Sequence, residues 1–474
     1  MLLTMDRSRP ITLANAAHTG RPTVWLLVIF IYALLLPREV RLSAGDLVFF
    51  ADRLVAIAAL PLIISAFANR ALRITLCDTL LGLGSLFIFV SMSYHYGITS
   101  GLERGGALAL DTAMAYFIGR YSVRNMAEFR TVMILIVFGL LIAGGSMALE
   151  SIRGAPIVKP IFAGIFGPLP YYDAGLEITG QTLQSEYRLG LLRSSGPFSH
   201  PILGGLILCS ILPIYLIGGI RKWPRIAGTI AALLSFFSLS SAALIGLFLG
   251  FVMIFYDWLQ SRTMLLSWKT AIIFTSVIML LLQVLTQSGV FSFIVRYLTL
   301  SAATGNYRML IYEFGFATAL NNPIFGIGFA GYDRPAWMVN ATVDSHWLLL
   351  ALRHGFPTAL LFFALAIVSI NMVAKAAGRS RGQDALFYKS IAILLFLLTF
   401  LGFTVAYFGG ANSWYLAFTG AAVSLALSDT AQRRAQLPNV VRPSHSGVTS
   451  THSPAGALPL PKDRPPEHVR SYTA

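Results

Sequence analysis

The chain has 474 residues, of which 56% are hydrophobic and only 12% are charged, and its mean hydropathy is +0.71. This composition excludes an ordinary soluble globular protein and predicts a polytopic membrane protein. Lysine and arginine number 35 against 20 aspartates and glutamates, which gives a formal net charge of +15. The two cysteines, Cys77 and Cys209, lie in or beside apolar runs, so they predict neither a disulfide framework nor a metal site.

Apolar runs predict an all-α polytopic fold of about 12 transmembrane helices, because roughly 20 apolar residues cross a bilayer. The predicted spans are 23–37, 47–68, 74–94, 105–121, 130–149, 198–219, 225–239, 241–257, 270–286, 355–374, 389–407 and 411–428. A tight polar turn at Ser238–Ser241 is expected to separate the seventh span from the eighth. Residues 1–22 form the predicted cytoplasmic N-terminus. Residues 429–474, rich in Pro and Ser toward the end, are a predicted disordered cytoplasmic tail.

The distribution of lysine and arginine predicts the orientation of the membrane region. An even number of spans puts both termini on one side, and most of the cations fall in the segments on that side. We therefore expect both termini in the cytoplasm. Membrane topology explains the excess positive charge, and no nucleic-acid partner is expected.

Two long loops, about 150–197 and 287–354, are predicted on the opposite, periplasmic side. The first contains Arg188 and Arg193 and ends in Ser195-Gly-Pro-Phe-Ser-His200-Pro. Prolines on both sides of His200 predict a rigid entry that points Arg193 and His200 toward the outer mouth. The simpler interpretation is a proline-punctuated helix start.

The second loop carries a helical pattern in which Arg308 and Tyr312 are one turn apart. Asn322-Pro323 is expected to stop this helix before a flexible glycine-rich turn at 326–331. Asp344-Ser-His346 then precedes an apolar run that ends at Gly355. Asp344 and Ser345 fit a helix N-cap, and Asp344 or His346 would also serve as a proton acceptor.

Charged residues within predicted spans need partners because isolated charges are costly in a bilayer, and we single out three of them. They are Asp52 and Arg53 in the second span and Asp111 in the fourth. We expect Asp111 to pair with Arg53. A proton or ion pathway is the competing interpretation.

Three separated patterns together resemble the O-antigen polymerase and O-antigen ligase superfamily. They are Arg193 to Pro201, Arg308 with Tyr312 and Pro323 to Gly328, and Asp344 to Leu348 before Gly355. The resemblance covers roughly residues 23–428. It implies a metal-independent glycosyltransferase of the bacterial inner membrane, without a cofactor, that uses an undecaprenyl-diphosphate-linked oligosaccharide at the periplasmic face. Ligases tend to have His-Asn where this chain has Asp344-Ser345, which favours a polymerase of exopolysaccharide or O-antigen repeat units.

The chemistry of that reaction selects candidate residues. A departing lipid diphosphate gains negative charge, which arginine guanidinium groups stabilise, and the acceptor hydroxyl needs a base. The predicted catalytic residues are Arg193, Arg308 and either Asp344 or His346. The predicted substrate-binding residues are Arg188, His200, Arg296, Tyr312, Glu313 and Arg353. Glu313 is also the third candidate for the base, after Asp344 and His346.

Two alternative functions remain open. An O-antigen ligase would transfer the lipid-linked glycan to lipid A core in place of extending it. An ion-coupled transporter or lipid-linked-sugar flippase would explain the charged residues within spans. The expected partners also include the membrane lipids. Whether a co-polymerase sets the chain length is left open by the sequence.

Overall fold

The computed structural model describes residues 22–44, 47–169, 171–173, 176–178, 187–263, 267–285, 302–338 and 341–436. The chain divides into two units, Met1–Gln432 and Arg433–Ala474, and the first contains the elements described below apart from the end of the last helix. Within the described ranges, six helices are long and apolar enough to cross a membrane. The protein is therefore a mostly helical membrane protein, as composition predicts. The total of twelve spans stays a prediction.

Helices alternate with three small hairpins along the described chain. The helices are α1 (Pro22–Leu35), α2 (Ala51–Ala68), α3 (Leu76–Ser122), α4 (Met126–Arg153), α5 (Val158–Phe166), α6 (Pro201–Ser210), α7 (Leu212–Ile217), α8 (Lys222–Leu233), α9 (Ser241–Gln260), α10 (Trp268–Leu285), α11 (Ala302–Asn321), α12 (His346–His354), α13 (Phe356–Arg379), α14 (Gly382–Leu401) and α15 (Ala411–Gln436). The antiparallel hairpins pair β1 (Arg41–Ala44) with β2 (Leu47–Phe50), β3 (Tyr171–Asp173) with β4 (Leu176–Ile178), and β5 (Tyr187–Arg188) with β6 (Leu191–Leu192).

Several helix ends follow local sequence signals. Thr75 and Asp78 form a capping box at the start of α3. The Asn125 side chain accepts a hydrogen bond from the Glu128 backbone N–H at 2.9 Å and starts α4. Gly154, with φ of 75°, ends α4 in the left-handed conformation that glycine adopts without strain. These signals are local, so the sequence predicts them well.

Helix α3 folds back on itself at Gly97, where φ is 78° and ψ is 169°. The returning limb brings the Tyr116 hydroxyl to 2.9 Å and the Arg120 Nε to 2.7 Å from Asp78 Oδ1. The predicted spans 74–94 and 105–121 are therefore two helical limbs that meet at the non-helical Gly97. The buried ion pair joins the two ends of this hairpin.

The expected turn between the seventh and eighth spans is present. A 3₁₀-helix at Leu234–Ser238 ends in Leu239, which has a left-handed backbone with φ of 44°. Helix α9 then begins at Ser241. The polar turn prediction is confirmed.

Other boundaries differ from the prediction because short hairpins and short helices form where loops or longer spans were expected. The fold is not purely helical, and the predicted span 47–68 begins as strand β2 before α2 starts at Ala51. The loop 150–197 contains the end of α4 and all of α5, and the loop 287–354 contains α11 and α12. Helix α15 continues to Gln436, past the predicted tail boundary at 428, and residues 437–474 lie outside the described ranges.

The loops of the first unit gather at two ends of the helical bundle. One end, here called the basic end, contains 70–75, 120–130, 218–225, 257–262 and 375–389. There the Arg130 Nε donates to the Gly218 carbonyl at 3.2 Å, and Lys389 Nζ lies 2.7 Å from Asp257 Oδ1. The opposite end, here called the site end, contains Gly97, 154–168, 187–200, 322–338, 341–345 and 402–410. The assignment of these two ends to the cytoplasm and the periplasm stays a prediction.

Two hydrophobic clusters hold these elements. The larger one fills the bundle between the long helices. The smaller one, at the site end, joins α11, the chain after it, and α12. Its buried members are Ile311, Ala319, Tyr332, Met338, Leu348, Ala351, Leu352 and Ala359. This smaller cluster fixes α11 against α12 and thereby positions the candidate site.

Candidate functional site

Arg308 and Asp344 form an ion pair at the site end, although 36 positions separate them in sequence. The Arg308 Nε donates to Asp344 Oδ2 at 3.1 Å. The Arg308 side chain is 9% exposed, whereas that of Asp344 is 35% exposed. Neither terminal nitrogen of this guanidinium donates a hydrogen bond within the described ranges. The pair therefore presents a carboxylate to solvent, beside a guanidinium whose terminal nitrogens donate no hydrogen bond within the described ranges.

The start of α12 explains where Asp344 lies. Ser345 is the N-cap, and its Oγ accepts a hydrogen bond from the Leu348 backbone N–H at 3.4 Å. The same hydroxyl donates to the Gly402 carbonyl at 3.3 Å. The N-cap prediction is thus confirmed for Ser345. Asp344 precedes the cap, and its carboxylate contacts Arg308.

His346 lies in a different environment from Asp344. Its backbone N–H donates to the carbonyls of Gly402 and Val405, and its ring stacks on Tyr407 with centroids 4.5 Å apart. The residue is only 5% exposed, and burial lowers the pKa of His346 to about 3. The ring is therefore neutral and faces an apolar pocket that includes Phe362.

The remaining candidates on α11 have separate surroundings. Tyr312 donates its hydroxyl hydrogen bond to the Phe403 carbonyl, and burial raises the pKa of Tyr312 to about 12. Glu313 is exposed on the surface of the helix. Sequence reasoning missed Tyr332, whose buried hydroxyl has no hydrogen-bond partner and whose pKa burial raises to about 12. No local pattern marks a tyrosine in this loop.

The glycine-rich turn after α11 is fastened to the end of α12. The Ile327 N–H donates to the Leu352 carbonyl at 2.6 Å, and the Gly328 N–H donates to the Arg353 carbonyl at 3.1 Å. A flexible turn was expected here, and these bonds show a fixed one instead. Positive φ angles allow glycine to approach the α12 backbone this closely.

Arg353 belongs to that turn and not to the Arg308 pair. Its guanidinium carbon lies 5.1 Å from the centroid of the Phe329 ring, and burial lowers the pKa of Arg353. Asp344 precedes the opposite end of α12, which is about 12 Å long from its nine residues. The structure thus separates Arg353 from Asp344.

Glu150 organises the first loop, although sequence reasoning assigned it no role. Its Oε1 accepts hydrogen bonds from the N–H groups of Ile157 and Val158, both at 2.9 Å. Its Oε2 accepts from the Ser194 hydroxyl at 2.6 Å and the Gly196 N–H at 3.0 Å. These four bonds fix the chain that carries Arg193 and His200 against the end of α4.

The predicted residues of the first loop have distinct positions. His200 is the N-cap of α6, with its Nδ1 accepting from the Ile202 N–H at 3.2 Å, which confirms the helix-start interpretation. The Arg188 Nη1 donates to the Leu239 carbonyl at 3.3 Å. Arg193 is half-buried and lies one residue before Ser194, the hydroxyl donor to Glu150.

Loop 402–410, between α14 and α15, connects the two groups of candidate residues. Its Phe403 carbonyl accepts from Tyr312, and its Phe408 ring lies 6.0 Å from the His200 ring. Five residues span at most about 18 Å, so both groups occupy one region of the site end. The loop contains no charged residue, and reasoning from charge therefore gave no signal for it.

Arg296, the remaining candidate, lies outside the described residues. Among the residues that are described, no three His, Cys, Asp or Glu side chains come together as a set of metal ligands. No protein-family model matches the chain, and no curated protein shows significant similarity to it.

Proposed function

We propose that the protein is an inner-membrane glycan polymerase that joins undecaprenyl-diphosphate-linked repeat units at the periplasmic face. The observation that carries the proposal is the Arg308–Asp344 pair, which combines a buried guanidinium with a partly exposed carboxylate. The resemblance of the sequence to O-antigen polymerases and ligases supplies the substrate class.

The reaction needs two groups that this pair supplies. An acceptor sugar hydroxyl attacks the anomeric carbon of the donor, forming a carbon–oxygen bond as the bond to the lipid diphosphate breaks. Asp344 takes the hydroxyl proton, and the terminal nitrogens of Arg308 stabilise the charge on the departing diphosphate. Direct displacement inverts the anomeric centre.

Asp344 is a better candidate for the base than His346. A general base must reach the proton that it removes, and Asp344 is the more exposed of the two. His346 is buried, and its ring stacks on Tyr407. We assign His346 and Tyr312 to holding loop 402–410, since their bonds to the Gly402 and Phe403 carbonyls fasten it.

Arg193 and His200 form the second part of the proposed site, across loop 402–410 from Arg308. In this scheme Arg193 adds positive charge for the lipid diphosphate. Arg188 supports the loop through its bond to Leu239. Arg353 and Glu313 are peripheral, because neither has a hydrogen bond or ion pair to Arg308 or Asp344 among the described residues.

The transporter alternative is less favoured because the charges that motivated it are paired. The Arg53 Nη2 lies 2.6 Å from Asp111 Oδ2, as the sequence predicts. The Arg38 Nη1 lies 2.5 Å from Asp52 Oδ1. Paired charges of this kind stabilise helix contacts without requiring an ion pathway.

Deletion of the gene in the native host tests the proposal. The polymerase predicts that single lipid-linked repeat units accumulate and that long polymer disappears. Long polymer on the lipid carrier but absent from lipid A would indicate the ligase instead. An unchanged glycan profile would contradict both enzyme assignments.

Complementation of that strain tests the residues. We expect Arg308→Ala to abolish polymer, and Arg308→Lys to restore little of it because an ammonium lacks the planar guanidinium fork. Arg262→Ala is the matched control, since Arg262 is an exposed arginine at the basic end and contacts Trp258. Normal polymer length and yield with Arg308→Ala, at wild-type protein levels, would contradict the mechanism.

A further inference from the structure

Four side chains from three segments of the chain form a row at the site end, beside the bend in α3. The Arg104 guanidinium carbon lies 5.3 Å from the centroid of the Tyr96 ring. The rings of Tyr96 and Phe329 have centroids 5.9 Å apart, and the Arg353 guanidinium carbon lies 5.1 Å from the Phe329 centroid. Two positive charges therefore flank a pair of aromatic rings. We call these four residues the arginine–aromatic row.

Hydrogen bonds fix the two rings of the row. The Phe329 backbone N–H donates to the Tyr96 hydroxyl oxygen at 2.6 Å. The neighbouring His95 has its Nε2 3.2 Å from the Phe325 carbonyl oxygen, and the Ser91 hydroxyl donates to the same carbonyl at 2.7 Å. These bonds fasten the end of the first limb of α3 to the glycine-rich turn. The two rings therefore have fixed positions without a ligand.

The row has hydrogen-bond donors without acceptors. Within the described part of the chain, the guanidinium groups of Arg104 and Arg353 form no hydrogen bond and no ion pair. A guanidinium has five N–H donors and no acceptor. The Tyr96 oxygen accepts from Phe329, and its own O–H has no acceptor among the described residues. The row is thus positively charged and rich in donors, which complements an anion with several acceptor oxygens.

A ligand can reach the row from outside the protein. Arg104 is exposed, Phe329 is 43% exposed, and Tyr96 and Arg353 are partly exposed. The row lies at the surface, so binding requires no internal cavity. Glu103, the acid next to Arg104 in sequence, is exposed and forms no ion pair within the ranges that the structure describes. One exposed carboxylate beside two arginines leaves positive charge in excess.

The row also lies where membrane-crossing helices end. Arg353 is three residues before α13, and Arg104 is seven residues after Gly97, where α3 bends. Helices α3 and α13 are both long and apolar enough to cross a membrane, and the ends of such helices lie at the level of the lipid headgroups. Large apolar side chains beside the bend are exposed: Tyr94, Ile98 and Leu102. An anion held at this level, beside apolar surface, has the chemistry of a lipid headgroup.

We propose that the arginine–aromatic row binds the phosphate of an anionic phospholipid. The guanidinium groups and the Tyr96 hydroxyl donate to the phosphate oxygens, and the acyl chains lie along the exposed apolar side chains of the bend. Two positive charges repel the choline group of a zwitterionic lipid. Helix α12 separates Arg353 from Asp344, so a donor diphosphate bound here would be out of reach of the proposed base. The inference therefore concerns a membrane lipid and does not depend on the proposed function.

Lipid binding to the purified full-length protein in detergent tests the row. Native mass spectrometry would follow titrations with phosphatidylglycerol and with phosphatidylcholine of the same acyl chains. We expect phosphatidylglycerol to bind the wild type about tenfold more tightly than phosphatidylcholine. Arg104→Gln and Arg353→Gln should each weaken phosphatidylglycerol binding about tenfold, the usual effect of losing a hydrogen bond between charged groups.

Arg153→Gln is the matched control for general attraction between positive charge and anionic lipid. Arg153 is an exposed arginine at the end of α4, also at the site end, and no aromatic ring contacts it among the described residues. This variant should bind phosphatidylglycerol as the wild type does. Monodispersity and melting temperature are measured for every variant. If Arg353→Gln does not fold, Arg104→Gln decides the outcome, because Arg104 is exposed.

Three outcomes would overturn the proposal. One is that phosphatidylglycerol and phosphatidylcholine bind the wild type equally. Another is that Arg104→Gln binds phosphatidylglycerol as the wild type does, or that Arg153→Gln weakens binding as much. The third is that inorganic phosphate or pyrophosphate binds the wild type more tightly than phosphatidylglycerol and displaces it, which would assign the row to a soluble anion or to a diphosphate.

Discussion

Asp344 has a partly exposed carboxylate, whereas His346, two positions later, is buried. The difference arises because α12 begins between them. Ser345 caps the helix, Asp344 stays outside it, and His346 enters the first turn and is buried against Tyr407. Sequence spacing predicts the cap, but it does not reveal which neighbour faces solvent.

Paired substitutions at these positions distinguish their roles. We expect Asp344→Asn to lower polymer formation about 100-fold or more, because the amide cannot accept the proton. His346→Phe should preserve the stacking on Tyr407 and most of the activity. Polymer yield in the deletion strain, normalised to protein level, is the measurement. A strong loss with His346→Phe and none with Asp344→Asn would reverse the assignment.

Histidine burial also predicts how stability depends on pH. Burial lowers the pKa values of His346 and His354 to about 3 from the ordinary 6.5. Between these values the unfolded state binds more protons, so the free energy of unfolding falls as the pH drops through this window. Each histidine should cost about 2 kcal/mol at pH 5 relative to pH 8.

Melting temperature in detergent between pH 8 and pH 5 measures this effect. The wild type should lose stability toward pH 5, and His346→Phe should lose less over the same range. Equal slopes for the two proteins would show that His346 is not the titrating group.

At the scale of elements, the turn at 323–331 and the end of α12 form one unit. Gly326 and Gly355 both have positive φ angles, 65° and 86°. An added Cβ would lie 2.3 Å from the Leu352 carbonyl oxygen at Gly326, and 1.9 Å from the Ile324 carbonyl oxygen at Gly355. Both contacts are with backbone, which cannot move aside as a flexible side chain can.

Gly355→Ala should therefore destabilise the protein. Gly355 has φ of 86° and ψ of 165°, a backbone conformation that essentially only glycine adopts, which costs an alanine about 1–3 kcal/mol, and the backbone contact adds to it. Melting temperature should fall by several degrees. Gly145→Ala in α4 is the control, because its Cβ would meet nothing within 4 Å and alanine favours the helix. Equal stability of the two variants would contradict the close packing of this turn.

Loop 402–410 is a second element that contributes to the site through its backbone. It contains no charge and no strong motif, yet its backbone carbonyls accept hydrogen bonds from Tyr312, Ser345 and His346. The loop joins the two candidate groups through its backbone. Local sequence patterns describe side chains, and they therefore do not report such a role.

At the scale of the whole molecule, topology is the property most open to direct measurement. Trp337 lies in a site-end loop and is 64% exposed, and Arg262 is exposed at the basic end. Both native cysteines are buried, so single introduced cysteines can be read against a low background. The predicted orientation puts Trp337 in the periplasm and Arg262 in the cytoplasm.

A membrane-impermeant maleimide should label Trp337→Cys in intact spheroplasts. Arg262→Cys should react only after the membrane is permeabilised. Labelling of Arg262→Cys in intact spheroplasts would contradict the predicted orientation, and with it a periplasmic site. Labelling of both variants after permeabilisation is the control for accessibility.

Sequence reasoning predicts the membrane class, most helix positions, the turn before α9 and the Arg53–Asp111 pair. These features depend on local hydropathy, on capping residues, or on the cost of an isolated charge in a bilayer. Each can be evaluated from a short window or from one strong energetic rule. The same rules failed for short hairpins, whose strands are too brief to leave a periodic pattern.

The composition of the candidate site depends on the tertiary structure. In the folded chain Arg308 pairs with Asp344, and Arg353 lies at the glycine-rich turn. Glu150 accepts hydrogen bonds from two separate loop segments. Such contacts depend on how helices pack, because hydrogen bonds and burial are set by neighbours in space and not by neighbours along the chain.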